Sequence, residues 1–452
     1  MFFVKNSVLS CPLHYRYSQI FSKSLYSTMP TNYHSWNRES LIKRIVELER
    51  YNPATAATVK HKPPQQPKKK KKAFDWSKFS QRKIALRFSY LGWDYNGLAY
   101  QHTATPLPTV EGEILSILAK TRLIEDEDLD KCEFSRCGRT DRGVSALAQV
   151  ISIMVRSNLT SEQQLDSAFD ADELDYVNIL NYNLPPSIRV YEVCLRPPSG
   201  FDARFSCQYR HYRYYFPRQG LDIEAMREAA SYYVGPGDYR NFCKIDGSKQ
   251  IVTYERTVYN ADIISLKNGS TPINLKGSAF LWHQVRCMMA ILFLVGQGYE
   301  KPSIVKDLLD HSKYPSRPLY IMASEFPLVL YDCVYPDDVQ WASVKTPVGV
   351  GKLQDSIFNT WYELSIKAQM AKTMRDVIFK SMKSLAIPPS IDYKGPPIGE
   401  ALQEGVRIDT GYGRGNTIAV YEKLEDRPVM ESVAEQNKKW RVKNSKESSL
   451  SE

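Results

Sequence analysis

Short alternating segments and longer segments with helical spacing follow one another along the chain. Alternation in Lys83–Tyr90 predicts a strand, and apolar positions three and four residues apart in Val110–Lys120 predict a helix. Further strands are predicted to end at Cys194–Pro197 and to cover Phe205–Phe216, Tyr254–Leu266 and Leu328–Val334, and further helices to cover Leu221–Val234 and Leu281–Val295. Long helices between separate strands are typical of an α/β (α+β) body whose sheet is covered on one face.

The N-terminal region differs in composition from this body. Residues 1–28 are basic and rich in serine, and the first acidic residue is Glu39. This composition suits either a mitochondrial transit peptide or an ordinary disordered tail, with Met29 as a second start. Residues 29–80 contain a short helix around Leu41–Leu48, capped by Ser35 or Asn37. This helix is expected to pack on the body, to pair with a second subunit or to contact RNA.

A linker follows that helix. Pro53–Pro67 lacks apolar periodicity, and Lys68–Lys72 is an unbroken lysine run. Such a run serves as a nuclear import signal or a phosphate-binding tether, and a plain solvated linker is the alternative.

The C-terminal region is predicted to be helical and irregular over 341–436. Asp355–Leu385 has the apolar spacing of an amphipathic helix. Gly411–Gly415 lacks the following Lys-Ser/Thr of a phosphate loop, which favours an ordinary loop. The basic, serine-rich tail over 437–452 is predicted to be disordered.

The net charge and the cysteine content indicate which partners and which kinds of site are expected. A formal net charge of +10 and a pI near 9.0 favour a polyanionic partner. The longest apolar run, Met288–Val295, is too short to span a bilayer. Eight cysteines without a Cys-x-x-Cys pair argue against zinc and against a disulfide framework. Cys137 is interpreted as a small packed residue because no base lies near it in sequence.

The most informative segment is Ser135–Ala146, which places Asp141 between Arg139 and Arg142 on a glycine-bracketed turn. A carboxylate beside cations ionises readily and can act as a nucleophile or base. A surface turn in which Asp141 pairs with a neighbouring arginine is the simpler alternative.

Three segments carry a family resemblance. The Gly-Arg-Thr-Asp-x-Gly-Val-x-Ala sequence at Gly138–Ala146, Phe201–Tyr214 and Gly277–Arg286 resemble, in order, the motifs of the TruA-type tRNA pseudouridine synthases. The resemblance covers roughly 83–336 and is closest to the eukaryotic branch that acts on tRNA positions 38 and 39. It implies two sheet-plus-helix halves, 81–220 and 221–340, around a central basic RNA-binding cleft.

The resemblance also implies roles for individual residues. Asp141 matches the catalytic Asp, Arg286 is expected to pair with it, and Tyr212 matches the active-site Tyr. An arginine in an apolar segment needs such a partner. Tyr212 is expected to stack on the flipped uracil, with packing in the sheet as the alternative.

The remaining expected substrate contacts are less specific. Arg139 is expected to hold the flipped nucleotide or its phosphate, and Arg210 and Arg213 to follow the RNA backbone. Leu328 matches an apolar wall of the pocket. His102, His211 and His283 are interpreted as structural, hydrogen-bonded residues.

The sequence therefore predicts a tRNA pseudouridine synthase that acts on the anticodon stem-loop, most closely at positions 38 and 39. Moving uracil from nitrogen to carbon attachment involves no net oxidation or hydrolysis, so no metal or cofactor is expected. The alternatives are a catalytically inactive RNA-binding or folding protein on the same scaffold and a synthase for other tRNA positions. The resemblance implies a homodimer, and no membrane association is expected. The lysine run predicts the nucleus and cytoplasm, with a mitochondrial form if translation starts at Met1.

Overall fold

The structure is a computed structural model that describes residues 36–50, 74–266, 271–381, 406–411 and 415–448. The chain divides into two compact units, Met1–Phe74 and Asp75–Glu452. In the first unit, helix α1 covers Arg38–Arg50, and the Ser40 amide donates to Asn37 Oδ1 at 2.9 Å. The predicted helix and its Asn37 cap are therefore confirmed. The acid-free segment, Pro53–Pro67 and Lys68–Lys72 lie outside the described residues.

The second unit is built on one mixed sheet. Its strands are β1 Ser80–Tyr90, β2 Ser135–Arg136, β3 Ser145–Ser157, β4 Ile188–Cys194, β5 Tyr209–Phe216, β6 Gly235–Asp238, β7 Glu255–Ile263, β8 Thr271–Gly277 and β9 Leu328–Val334. The order is β4-β1-β3-β9-β5-β8-β7-β6, with β2 paired to β3. The strands predicted from alternation are present, and β9 has the predicted bounds.

The helices of this unit are α2 Val110–Lys120, α3 Tyr176–Asn183, α4 Ile223–Ser231, α5 Gln284–Gly296, α6 Ile304–Leu309, α7 Pro347–Ser381 and α8 Val433–Ser448. Helix α2 coincides with its prediction. In α5 every residue except Arg286 is buried, because the run is apolar on all sides and packs against the sheet and its neighbouring helices. The mixture of helices with a large sheet is the predicted α/β class.

The helices and strands enclose two hydrophobic cores. The first gathers residues of β1, β3, β4, α2 and α3. The second gathers residues of β5, β7, β8 and α4 to α6. Tyr212 of β5 packs against both cores, so the two cores meet at this residue.

Strand β9 joins the two parts of the sheet. It runs parallel to β3, pairing Ser145 with Val329 and Ala146 with Leu330. It runs antiparallel to β5, pairing Tyr212 with Leu330. The turn that precedes β3 and the loop that precedes β9 consequently lie side by side, and this position is where the chemistry-bearing residues collect.

The C-terminal region is more ordered than the sequence predicts. Helix α7 begins at Pro347, before the predicted start at Asp355, and its described part ends at Ser381. Strands β10 Val406–Asp409 and β11 Gly415–Ile418 form a hairpin, and between them 412–414 lie outside the described residues. Apolar side chains on α7 remain exposed, namely Ile357, Phe358, Trp361, Tyr362, Ile366, Met370, Met374, Val377 and Ile378.

The prediction of disorder from Asn437 is wrong as far as Ser448. Helix α8 docks on the body, where Arg441 Nε donates to Gln250 Oε1 at 2.8 Å. A Cβ on Gly247 would lie 3.2 Å from Trp440 Cβ, so the contact is close. The sequence did not predict this packing, because the segment is basic and few of the residues that contact the body are apolar. Within the described residues, no helix combines the length and apolar character needed to cross a bilayer.

Candidate active site at the junction of the two cores

The Asp141 turn is fixed by hydrogen bonds from strands and from the 92–98 loop. The Leu98 amide donates to the Thr140 carbonyl at 3.2 Å, and the Thr140 hydroxyl lies 2.7 Å from the Tyr90 hydroxyl. Gln149 Nε2 donates to the Gly138 carbonyl at 2.9 Å. The turn closes on itself through the Val144 amide and the Asp141 carbonyl. These contacts hold the Asp141 backbone before any substrate arrives.

Two glycines allow this close approach. Gly97 has φ +91°, and a Cβ there would lie 2.9 Å from the Thr140 carbonyl oxygen. Gly143 has φ +82°, and a Cβ there would lie 2.9 Å from Glu325 Cγ. Both positions combine a left-handed backbone with no room for a side chain, so glycine is required at each.

The Asp141 carboxylate faces two basic side chains at the start of α5. Its Oδ2 lies 3.2 Å from His283 Nε2 and 4.0 Å from Arg286 Nη1. The Asp141 side chain is 30% exposed, whereas those of His283 and Arg286 are 12% and 13% exposed. The arrangement leaves one side of the carboxylate open to a ligand.

The sequence predicts a structural, hydrogen-bonded His283 and does not predict this contact with Asp141. It precedes α5 with φ +62°, a left-handed conformation that directs the ring toward the turn. Its Nδ1 is buried without a hydrogen-bond partner among the described residues. The position immediately before the apolar helix was the sequence signal that could have found it.

Arg286 contacts more than Asp141. Its Nε donates to the Ala323 carbonyl at 2.8 Å, and its Nη2 donates to Glu325 Oε2 at 2.9 Å. The expected Asp141 partner is therefore present at a longer distance, and Glu325 makes the closer ion pair. The guanidinium fork fixes the loop before β9 against the Asp141 turn. Glu325 had no sequence signal because it lies in a loop outside the three motifs.

Tyr212 lies in the middle of β5 at the meeting of the two cores. Its ring packs edge-on against Phe280 of the third motif, with centroids 5.1 Å apart. Burial raises the pKa of the Tyr212 phenol well above its ordinary value, so the hydroxyl stays protonated at neutral pH. The packing alternative and the stacking prediction are both compatible with this half-buried position.

Arg210 links all three motif segments. Its Nη2 donates to the carbonyls of Cys137 at 3.0 Å and Arg204 at 2.6 Å, and its Nη1 donates to the Ser278 carbonyl at 2.9 Å. The side chain is half-buried. Through these contacts Arg210 holds the three segments of the site together. Its contact with the RNA backbone stays a prediction.

Arg213 is not brought to this site. It stacks over the Tyr331 ring at 3.6 Å and donates to Asn274 Oδ1 at 2.8 Å. Successive strand residues point to opposite faces, so Arg213 faces away from Tyr212. Leu328 is buried in the second core and pairs with Tyr214.

Among the arginines predicted to contact RNA, Arg139 is the most accessible to a ligand. It is exposed beside the Asp141 turn, and within the described part of the chain it makes no hydrogen bond or ion pair. Arg136, three residues before Arg139 in the sequence, is paired with the buried Glu111. Burial raises the pKa of Glu111 although Arg136 and the Tyr100 amide oppose the shift.

The described residues of the site do not include a cluster of side chains that could bind a metal ion. In the residues that the structure describes, no three His, Cys, Asp or Glu side chains are arranged to hold a metal ion. Cys137 is buried, as interpreted from sequence, and the described cysteines are free thiols. The chemistry-bearing residues of the site are therefore a carboxylate, its basic neighbours and an aromatic ring.

Comparison with known proteins shows which enzyme family this chain resembles over its length. A family model described as tRNA pseudouridine synthase matches residues 229–336. The tRNA pseudouridine(38/39) synthase of Saccharomyces cerevisiae is 46% identical over 94% of this chain and 96% of its own length. The protein of that name from Homo sapiens is 38% identical over 80% of this chain and 77% of its own.

More distant matches are shorter. The tRNA pseudouridine synthase A of Methanosarcina mazei is 32% identical over 57% of this chain and 87% of its own length. A solved structure, "Crystal Structure of a Cbf5-Nop10-Gar1 Complex", has a TM-score of 0.22 at 12% identity, covers 46% of this chain and 45% of that one, and carries no argument about the fold. With the yeast and human relatives matching most of its length, the chain belongs to the tRNA pseudouridine synthase family.

Proposed function

We propose that this protein is a tRNA pseudouridine synthase that isomerises uridines 38 and 39 of the anticodon stem-loop, with Asp141 as the catalytic carboxylate. The observation that carries the proposal is the Asp141 carboxylate, braced from behind by the 92–98 loop and open on one side. The 46% identity to a tRNA pseudouridine(38/39) synthase over 94% of the chain supports the choice of substrate and positions.

The reaction breaks the bond from the ribose C1′ to the uracil N1 and forms one from C1′ to C5, while C5 loses its proton and N1 gains one. The atoms of the nucleoside are unchanged in number, and nothing is oxidised overall. Such chemistry needs a carboxylate near a flipped nucleotide, retention of the detached base and exclusion of water. Asp141 serves as this carboxylate, whether it attacks the ribose, attacks the base or removes a sugar proton.

Neighbouring side chains take supporting roles in the proposal. Arg286 orients the Asp141 carboxylate from 4.0 Å and is itself held by Ala323 and Glu325. Tyr212 supports the uracil ring while it is detached, and the exposed Arg139 holds the phosphate of the flipped nucleotide. The exposed cation of Arg139 beside this turn favours a polyanionic substrate.

The proposal includes a homodimer. Its support is the apolar stripe on α7, where Trp361 is 60% exposed and Met370 and Met374 are each 66% exposed. Stripes of this kind mark an interaction surface. Sedimentation at micromolar concentration should give twice the mass of the chain, and Trp361→Glu should give the monomer.

Localisation in the nucleus and cytoplasm, with a mitochondrial form, is also proposed. It is supported by the composition of Lys68–Lys72 and of the acid-free 1–28 segment. Tagged proteins started at Met1 and at Met29 should separate on fractionation. Mitochondrial entry of the shorter form would contradict the role given to 1–28.

The direct test uses the purified full chain and a transcript of a tRNA with uridine at positions 38 and 39. Pseudouridine should be found at these positions and at no other uridine of the transcript. A matched transcript with cytidine at both positions should yield no product. Modification confined to other positions would contradict the proposed specificity.

A further inference from the structure

A cavity of about 210 Å³ lies between α3, the start of β4 and the first turns of α7. This volume far exceeds the roughly 15 Å³ that one water needs. Gly349 lets α7 come this close, because a Cβ there would lie 2.3 Å from Asn178 Nδ2. The cavity is thus formed by a specific helix contact and is separate from the Asp141 turn.

A buried guanidinium forms one wall of the cavity. Arg189 is 8% exposed, and its hydrogen bonds go to neutral acceptors: the carbonyls of Leu184, Pro185 and Ile188 and the hydroxyl of Ser356. Within the described residues it makes no ion pair. A buried cation without a counterion is costly, so an anion entering the cavity would supply what the fold does not.

Two further donors face the same space. Ser356 Oγ accepts hydrogen bonds from both Nε and Nη2 of Arg189, at 2.8 and 2.6 Å. Both lone pairs are then used, and its own proton is available to an acceptor in the cavity. Lys352 is exposed and has no ion pair in the described part of the chain, and it lies 6.0 Å from the centroid of the Tyr182 ring.

Two acidic residues flank this group: Asp355, which is exposed next to Ser356 on α7, and Asp175, which caps α3 and is engaged there. Asp175 accepts hydrogen bonds from the Asn178 amide and side chain, at 3.1 and 2.6 Å. Tyr182 is 83% exposed at the mouth of the cavity, where its ring and hydroxyl can contact a ribose next to a bound phosphate. The lining therefore combines cations, hydroxyl and amide donors and an aromatic ring.

The sheet connects the cavity to strand β3, which follows the Asp141 turn. Arg189 of β4 pairs with Ser89 of β1, and the next residue, Tyr90, pairs with Ala146 of β3. Two strand spacings across the sheet amount to roughly 10 Å. The Tyr95 hydroxyl contacts the Ser187 hydroxyl at 2.7 Å, which ties this edge of the sheet to the loop that braces Asp141.

We propose that this cavity binds a backbone phosphate of the anticodon stem, with Lys352, Ser356 and Arg189 as the cationic and hydroxyl contacts and Tyr182 against the adjoining ribose. The proposal rests on the proposed function for the identity of the RNA. It adds a second anchoring point, which would fix the stem while a uridine is turned into the Asp141 site.

The test measures binding of an isolated anticodon stem-loop to the full chain over a range of salt concentrations. Each phosphate contact contributes roughly 0.7 to 0.9 to the slope of log affinity against log salt. Lys352→Glu should lower the slope by about that amount and weaken binding roughly fivefold at physiological salt. Lys352→Arg should keep the wild-type slope.

Lys372→Glu is the matched control, because it makes the same charge change on an exposed position of the same helix. Equal slopes for Lys352→Glu and Lys372→Glu would reduce the effect to overall charge and overturn the proposal. Tyr182→Ser provides a second variant at an exposed residue, and it should weaken binding without changing the slope.

A calorimetric titration with inorganic phosphate separates RNA from a free anion. Phosphate binding to wild type that Lys352→Glu abolishes, with no change in the RNA slope, would overturn the RNA as occupant. Wild-type product formation on the same tRNA tests the proposed function independently. If the wild-type protein forms no product, the proposed function is wrong. If it forms product but Lys352→Glu leaves the salt slope unchanged, only the proposal for the cavity is wrong.

Discussion

The sequence predicts both Arg210 and Arg139 to contact RNA, but mutating them should have different effects. Mutation of Arg210 should lower the melting temperature, whereas mutation of Arg139 should lower the salt dependence of tRNA affinity. Arg210 donates to the carbonyls of Cys137, Arg204 and Ser278, whereas Arg139 is exposed beside Asp141. In Arg210→Lys a single ammonium replaces the fork and can satisfy one of the three carbonyls well. The two lost hydrogen bonds from a charged group are worth about 1.5 kcal/mol each in this half-buried position.

The expected loss of about 3 kcal/mol in unfolding free energy corresponds to a melting temperature lower by about 4 °C for a unit of this size. Calorimetry or circular dichroism should measure it, alongside the salt dependence of tRNA affinity. We expect Arg210→Lys to keep the wild-type slope, because its contacts are within the protein.

Arg139→Gln is the matched comparison. It should change the melting temperature by less than about 1 °C, since an exposed residue without a partner contributes little to stability. It should lower the salt slope and the single-turnover rate. An unchanged melting temperature in Arg210→Lys together with a lower salt slope would refute the structural role of Arg210.

Three further outcomes follow from the site and its support. Arg286→Lys loses the planar fork that joins Ala323 and Glu325, so single-turnover rates should fall at least about tenfold with little change in tRNA affinity; equal rates would mean that Arg286 does not orient Asp141. Gly97→Ala introduces a Cβ 2.9 Å from the Thr140 carbonyl at φ +91° and should lose activity, whereas Gly351→Ala, with open space around it, should not. Burial alone would raise the pKa of Glu173, but hydrogen bonds from Ser157, Arg82 and two amides outweigh it and lower that pKa below 4.5. The stability from Glu173 is therefore complete above pH 4.5 and lost as pH falls below it, and Glu173→Gln should flatten the decline of melting temperature in that acid range.

Local pattern was sufficient for much of the fold. Helix α2 and strand β9 have the predicted bounds because apolar spacing and local propensity agree in both segments. The apolar run of α5 predicted a buried helix, and the position of Arg286 in that run predicted a need for an acidic partner. The Asp141 turn was found from its residue types and family resemblance.

What sequence missed depends on contacts between distant segments. Glu325 became the close partner of Arg286 because β9 pairs with β3 in parallel and brings its preceding loop to the Asp141 turn. His283 acquires its contact with Asp141 through a left-handed backbone that composition does not reveal. The hydrogen bonds from Arg210 to three carbonyls also join segments that are distant in sequence. An arginine in a strand rich in aromatic residues is equally typical of an RNA contact and of a structural contact, so the sequence could not distinguish the two.

The central claim is that the Asp141 carboxylate carries out isomerisation of uridine in tRNA. Asp141→Asn keeps the side-chain shape and removes its negative charge. Under single-turnover conditions with saturating tRNA, pseudouridine at positions 38 and 39 should be undetectable for the variant. Its tRNA affinity should be within about threefold of wild type, because the phosphate contacts that dominate affinity are retained. A variant rate within tenfold of wild type would contradict the assignment of Asp141 as the catalytic residue.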